Sequence, residues 1–200
     1  MRTSRVRFLN LESENKNIKE KLIILEKQIQ EHQEFSRPSS IEIRNVPNNE
    51  KETVDDLMKK IKHLGSTLNL DIKDEDIRDV YRRAGKPGTP KAIIVELNSV
   101  QHKDAFLTAV RRWNKSRQGS NRLNCSHIGE PGDMRPVYVN EHLTYSTRKL
   151  FFRAREFAKE HKYEFCWISK GKVLIRKDSN SKYIHVTSEL SLSKILSPIE

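Results

Sequence analysis

Long apolar runs are missing from this chain. No stretch approaches the ~18 residues of a membrane span, and the amino-terminus has no signal-peptide hydrophobic region. Cysteine is scarce: Cys125 and Cys166 stand alone, with no CxxC and no paired histidine spacing. No structural zinc site is therefore expected, and the thiols should be reduced in an intracellular setting, cytoplasm or nucleus. The signatures of common catalysts are lacking as well: no P-loop, GxGxxG, GxSxG or HExxH occurs. His127, His142, His161 and His185 are scattered, and Cys166 between Phe165 and Trp167 reads as a small buried thiol. The expectation is a non-enzyme that needs no cofactor and no metal.

Charge is what the chain has in quantity. With 35% hydrophobic and 32% charged residues, its 200 residues suggest an elongated or multi-part protein, and the net charge of +11 points to polyanionic partners. The first 40 residues carry 8 basic and 6 acidic side chains, and residues 41–110 carry 12 of each. Residues 111–200 carry 18 basic against 9 acidic, so most of the excess lies in the last 90 residues. Solubility alone gives no reason for such segregation.

Three segments follow along the chain, and together they predict an α+β protein. Phe8, Leu11, Asn15, Ile18, Leu22, Leu25, Ile29 and His32 succeed one another at alternating three- and four-residue steps. In heptad register Phe8, Asn15, Leu22 and Ile29 are a positions, and Leu11, Ile18, Leu25 and His32 are d positions. Residues 1–36 are thus expected to form an oligomerising coiled coil, dimer or trimer, with Asn15 setting register. Residues 37–40, Arg37-Pro38-Ser39-Ser40, read as a linker.

Residues 41–130 alternate strand and helix: strands at 41–47, 77–85 and 91–97, helices at 53–68 and 99–113, and a fourth strand expected in "RLNCSHIG" at 122–129. Thr53 is the expected N-cap of the first helix, with Val54, Leu57, Met58, Ile61 and Leu64 on its apolar face. The order βαββαβ is that of an RNA-recognition-motif sheet. Such sheets stack bases on aromatics of their two central strands, which "IEIRNVP" and "KAIIVEL" do not contain. Arg44, Arg82, Arg83 and Lys91 remain as basic candidates there. Arg82 and Arg83 alternate faces, so at most one of them should meet a ligand on the sheet. The polar stretch 114–135 reads as a flexible linker, and residues 136–200 as a second small α/β unit.

In that unit the helix at 145–162 has three faces. Leu150, Phe151, Ala154, Phe157, Ala158 and His161 form the core side, while Lys149, Arg153, Glu156 and Glu160 form a mixed stripe able to pair internally. The third face, Arg148, Arg155, Lys159 and Lys162 with Phe152 beside it, has no acid and suits phosphates with a ring for stacking. The following "WISKGKVLIRKD" reads as a hairpin turning at Ser169-Lys170-Gly171-Lys172. Lys170, Lys172, Arg176 and Lys177 crowd it with no acid until Asp178, an arrangement that stability alone disfavours. Hairpin and helix are expected to line one groove for a single-stranded nucleic-acid backbone.

The stretch "RPVYVNEHLTYSTRKLFFRAREFAKEHKYEFCWISKGKVLIRKDSNSKYIHV" resembles the carboxy-terminal domain of the baculovirus few-polyhedra (FP) protein family. It is also similar to relatives encoded by insect non-LTR retrotransposons. The wider arrangement resembles the first-reading-frame proteins of long interspersed elements. The resemblance implies binding and annealing of single-stranded RNA and DNA by a coiled-coil oligomer, a trimer in the retrotransposon proteins. Family basic positions would fall on Arg83, on Arg153 or Arg155, and on Lys172 and Arg176. Viral members also affect virion occlusion and envelopment. A rival reading follows from this: an adaptor whose coiled coil recruits viral or host assembly proteins.

Overall fold

The computed structural model describes residues 11–25, 28–29, 38–49, 51–85 and 88–196. The chain divides into two compact units, Met1–Ser36 and Arg37–Glu200. In the first, residues 11–25 form helix α1. Leu11, Ile18, Leu22, Leu25 and Ile29 all stand exposed on the single chain, as do Ile23 and Ile24 outside the heptad stripe. Asn15 is exposed on the same helix, and the expected positions Phe8 and His32 lie outside the described residues. No helix among the described residues is long and apolar enough to cross a membrane.

The second unit holds two antiparallel sheets. Strands β1 (Ser40–Arg44), β2 (Ile77–Arg82), β3 (Ile93–Leu97) and β4 (Tyr138–Glu141) form the first, in the order β2-β3-β1-β4. Helices α2 (Val54–Thr67) and α3 (Val100–Lys115) share a core with it built on Ile41, Ile43, Leu57, Ile61, Leu64, Val80, Val95 and Phe106. The start of α2 is set by a capping box. Thr53 Oγ1 accepts from the Asp56 amide at 3.2 Å, and the Asp56 carboxylate accepts from the Thr53 amide at 3.0 Å. The Thr53 amide, with the Thr53 hydroxyl donating to the same carboxylate at 2.8 Å, holds the Asp56 carboxyl below the usual range. Val54 does not join the core face; as the first residue after the cap it points to solvent.

Three expectations are corrected here. The fourth strand is not 122–129 but Tyr138–Glu141, which pairs with β1 through Ile41↔Glu141 and Ile43↔Val139. Residues 138–141, assigned by the sequence to the carboxy-terminal unit, therefore belong to the preceding sheet. Stretch 114–135 is also no loose linker. Leu123, Cys125 and Ile128 are buried in the first core, and a 3-10 turn at Cys125–Ile128 is capped by Asn124. Backbone pairs run from Cys125 to Arg135, from Ser126 to Asp133 and from Val137 to Leu123. The apolar alternation at Leu123 and Cys125 imitates a strand, but Ile128 continues it at a turn's spacing. Of the expected linker, Arg37 lies outside the described residues, while Ser39 and Ser40 belong to the sheet: Ser40 opens β1, and the Ser39 carbonyl accepts from Leu97.

The second sheet is β5 (Phe165–Ser169), β6 (Lys172–Arg176) and β7 (Ile184–Val186), in that order. Helices α4 (Tyr145–Glu160) and α5 (Glu189–Leu196) pack on one of its faces. Their core joins Ala154, Phe157 and Leu192 to Val173, Ile175 and Val186, with Cys166 and Ile168 against it. Thr144 caps α4 by accepting from the Thr147 amide at 3.1 Å. The helix ends at Glu160, short of Lys162, whose φ of 58° places it in the left-handed position that closes a helix. Burial pushes the Cys166 thiol up to about 11, so it is protonated and inert at neutral pH.

Candidate nucleic-acid interface

The expected basic residues separate into those used by the fold and those left open. Arg82 belongs to the first group. Its guanidinium reaches Glu52 at 2.7 and 3.1 Å, the Pro47 and Lys91 carbonyls at 2.6 Å, and the Val46 carbonyl at 3.0 Å. Its donors are engaged, so Arg82 leaves the interface. Arg83, on the alternate face, lies 2.8 Å from the buried carboxylate of Glu42 and is only partly exposed. Arg44 is exposed, as is Lys91, whose amide donates to Asn48. Arg148 is half-buried and donates to the Leu143 carbonyl at 3.0 Å, which also makes it a packing residue.

On α4 the two charged stripes behave differently. The mixed stripe pairs: Arg153 lies 3.1 Å from Glu156, and Lys149 lies 3.7 Å from Glu189. Arg155 and Lys159 are exposed and have no ion-pair partner among the described residues; Arg155 sits 5.9 Å over the Phe151 ring. Phe152, 58% exposed, shares their side of the helix at three- and seven-residue spacing. Repulsion between Arg155 and Lys159, one turn apart, is left uncompensated among the described residues.

The hairpin does not line the same groove as this stripe. Val173 and Ile175 point into the core under α4, so the two-residue period sends Lys172 and Arg176 to the opposite face of the sheet. There Arg176 stacks 4.5 Å over the Phe165 ring. Lys170 is exposed in the turn before β6, and Lys177 just after the strand ends. The turn between the strands has positive φ at both Lys170 and Gly171, as a two-residue turn of type I′ requires. Its two amides already hold an anion: Glu141 accepts from Lys170 at 2.9 Å and from Gly171 at 2.7 Å. The turn thus ties the second sheet to the end of β4, where Lys103 also approaches Glu141 at 3.8 Å. Glu141→Ala is expected to speed amide hydrogen exchange at Lys170 and Gly171 while both sheets stay protected. Unchanged exchange at those two amides would show the tie to be incidental.

The second sheet also carries aromatic side chains that the sequence reading leaves aside. Pairing of Phe165 with Arg176, Trp167 with Leu174, and Leu174 with His185 puts all of them on the face away from α4. Tyr183 joins them edge-on to Trp167 at 6.5 Å. The signal is present in the chain as Phe-x-Trp opposite Lys-x-Leu-x-Arg, a two-residue alternation whose intervening Cys166 and Ile168 face the core.

The α4 stripe, the hairpin and its sheet coincide with a known domain. Residues 144–196 match the family model described as Baculovirus FP protein domain 2. This match supports a relation of the segment to the baculovirus FP family. The FP segment begins at the cap of α4 and ends with α5, so β4 lies outside it, consistent with its pairing in the other sheet. No curated protein matches the chain.

Proposed function

We propose that the chain is a non-enzymatic, oligomeric protein that binds single-stranded RNA or DNA and anneals strands as a nucleic-acid chaperone, acting inside the cell. The observation that carries this reading is the basic stripe of Arg155 and Lys159, without an ion-pair partner among the described residues, beside exposed Phe152 on a segment holding most of the excess positive charge. Phosphates supply the missing counter-charge, and a ring supplies a stacking surface for an unpaired base. The βαββαβ order and the strand order of the first sheet support an RNA-recognition-like reading, with Arg83 and Arg44 as its basic contacts. Resemblance to retrotransposon first-reading-frame proteins supports the same class. Self-association through α1 supplies several binding units per particle.

Arg155→Ala combined with Lys159→Ala is expected to weaken binding of a random single strand. The log–log salt slope should fall by about 0.7 for each phosphate no longer neutralised. Stability should change little, because both side chains are exposed and make no ion pair among the described residues. Lys149→Ala, on the paired stripe, should leave affinity and slope nearly intact. If the double variant and this control bind alike, the stripe serves solubility. Absence of any salt-dependent binding by the wild-type chain would favour the adaptor reading, for which the exposed apolar stripe of α1 is the supporting observation.

A further inference from the structure

The face of the second sheet away from α4 carries apolar and basic groups that the fold does not use. Phe165, Trp167 and Leu174 belong to neither hydrophobic core. Trp167 is half-buried, Tyr183 is 65% exposed, and His185 is exposed beside Leu174. Lys172 and Arg176 flank the aromatic residues on the same face. Among the described residues that the register places here, none is acidic. The nearest carboxylate along β6, Asp178, is turned into its own loop, accepting from the Asn180 and Ser181 amides at 2.8 Å and from the Ser181 hydroxyl at 2.6 Å. An aromatic row bordered by cations complements a ligand with flat rings and negative charge.

We propose that this face is a base-stacking platform for single-stranded nucleic acid, with Trp167 and Tyr183 as the stacking rings and Lys172 and Arg176 holding the adjoining phosphates. The proposal rests on the single-strand reading above and adds a second binding surface to the α4 stripe. The T-shaped Trp167–Tyr183 pair leaves ring faces available, because the two rings meet at an interplanar angle of 74° rather than covering each other. Arg176 over Phe165 is prepositioned by its own stacking; its Nε is buried without a hydrogen-bond partner. The Glu141 clamp on the turn fixes where the hairpin begins. A duplex hides its base faces, so the platform discriminates for single strands, and every base offers a ring, so it discriminates little among sequences.

Trp113 and Trp167 are the two tryptophans, and Trp113 is packed under Arg117 with its centroid 3.5 Å from the guanidinium carbon. Trp167 fluorescence therefore reports on the platform. Titrating the full chain with oligothymidylate should quench emission, whereas a duplex of equal length should not. Trp167→Phe should abolish most of the quench yet keep most of the affinity, because a ring remains. Trp167→Ala and Tyr183→Ala should each weaken binding on the order of ten-fold. Unlike the α4 variants, they should leave the salt slope unchanged, since every phosphate keeps its cation. Tyr183, being exposed, tests the platform even if Trp167→Ala fails to fold. Salt-dependent binding with no quench and unaltered affinity in Tyr183→Ala would overturn the platform and leave the α4 reading standing. Failure of the wild-type chain to bind any single strand would overturn both. Loss of self-association in Tyr183→Ala with unaltered affinity would overturn the platform too, and reassign the face to an interface between copies of this chain.

Discussion

Arg82→Ala is expected to destabilise the second unit by about 3–5 kcal/mol, the cost of leaving one member of a buried ion pair uncompensated. Arg82 and Glu52 keep side-chain exposures of only 12% and 5%. Removing the guanidinium strands the Glu52 carboxylate and three backbone carbonyls at once. Lys60, 2.8 Å from Glu52, keeps part of the compensation but is itself shared with Glu130 at 2.6 Å. Against a total stability of about 5–15 kcal/mol, the loss is a large fraction. The pH dependence has a definite sign. Burial pushes the Glu52 carboxyl up, but the hydrogen bonds and charges of Arg82 and Lys60 outweigh it and hold the group below its ordinary value. Its contribution is therefore present above the unfolded carboxylate pKa and is lost as pH falls through the folded one. Without Arg82, burial weighs more, so acid unfolding should begin at a higher pH than in the wild type. Urea titrations from neutral pH down through the carboxylate range read both effects. Arg83→Ala, which removes a half-exposed partner, is the milder comparison. An Arg82→Ala midpoint matching the wild type would show that the guanidinium bonds contribute nothing net.

Ile18→Asp combined with Leu25→Asp is expected to convert an oligomer into a monomer and to lower single-strand affinity by about 100-fold, the lower end of what linked sites gain. Ile18 and Leu25 are d positions of successive heptads, 58% and 52% exposed on the single chain. A neighbouring helix in heptad register would cover them. Carboxylates at both positions would meet one another across every copy, a repulsion that no heptad packing offsets. Affinity falls because linked binding units raise effective concentration, and a monomer forgoes that gain. The second unit is compact without α1 and should keep its thermal transition. Sedimentation velocity with a parallel binding titration decides the matter. An unchanged oligomer would place self-association elsewhere, and an intact affinity in a true monomer would remove avidity from the mechanism.

The elements easiest to read are those with strong local signals. Thr53 and Asp56 form their capping box within four residues, and the alternation of Ile41 and Ile43 names a strand wherever its neighbours lie. The Lys170-Gly171 turn is equally local. Harder are stretches whose local pattern fits more than one partner. Val137 and Val139 alternate as a strand in either unit, and pairing of Val139 with Ile43 settles the choice. Leu123, Cys125 and Ile128 are too few and too irregular to announce that they plug the first core.

The basic residues show the same division at the site. Charge segregation and the acid-free stripe on α4 follow from the order of residues along one helix, because helical periodicity is a local property. Which cations remain free is not local. Arg82 and Arg83 are adjacent and chemically identical, yet one is surrounded by carbonyls from distant segments and the other stands on the more open side. Period-two alternation already put Lys172 and Arg176 on one side of a strand. Only the packing of α4 against Val173 and Ile175 decided which side, turning them away from the helix and toward Phe165 and Trp167. The amino-acid sequence by itself determined the heptads, the excess positive charge and most secondary elements, all of which depend on neighbours within a few residues. Tertiary structure decided strand partners, which arginines are consumed by carbonyls, and which aromatic rings share a face with the cations, because each depends on groups brought together from far apart in the chain.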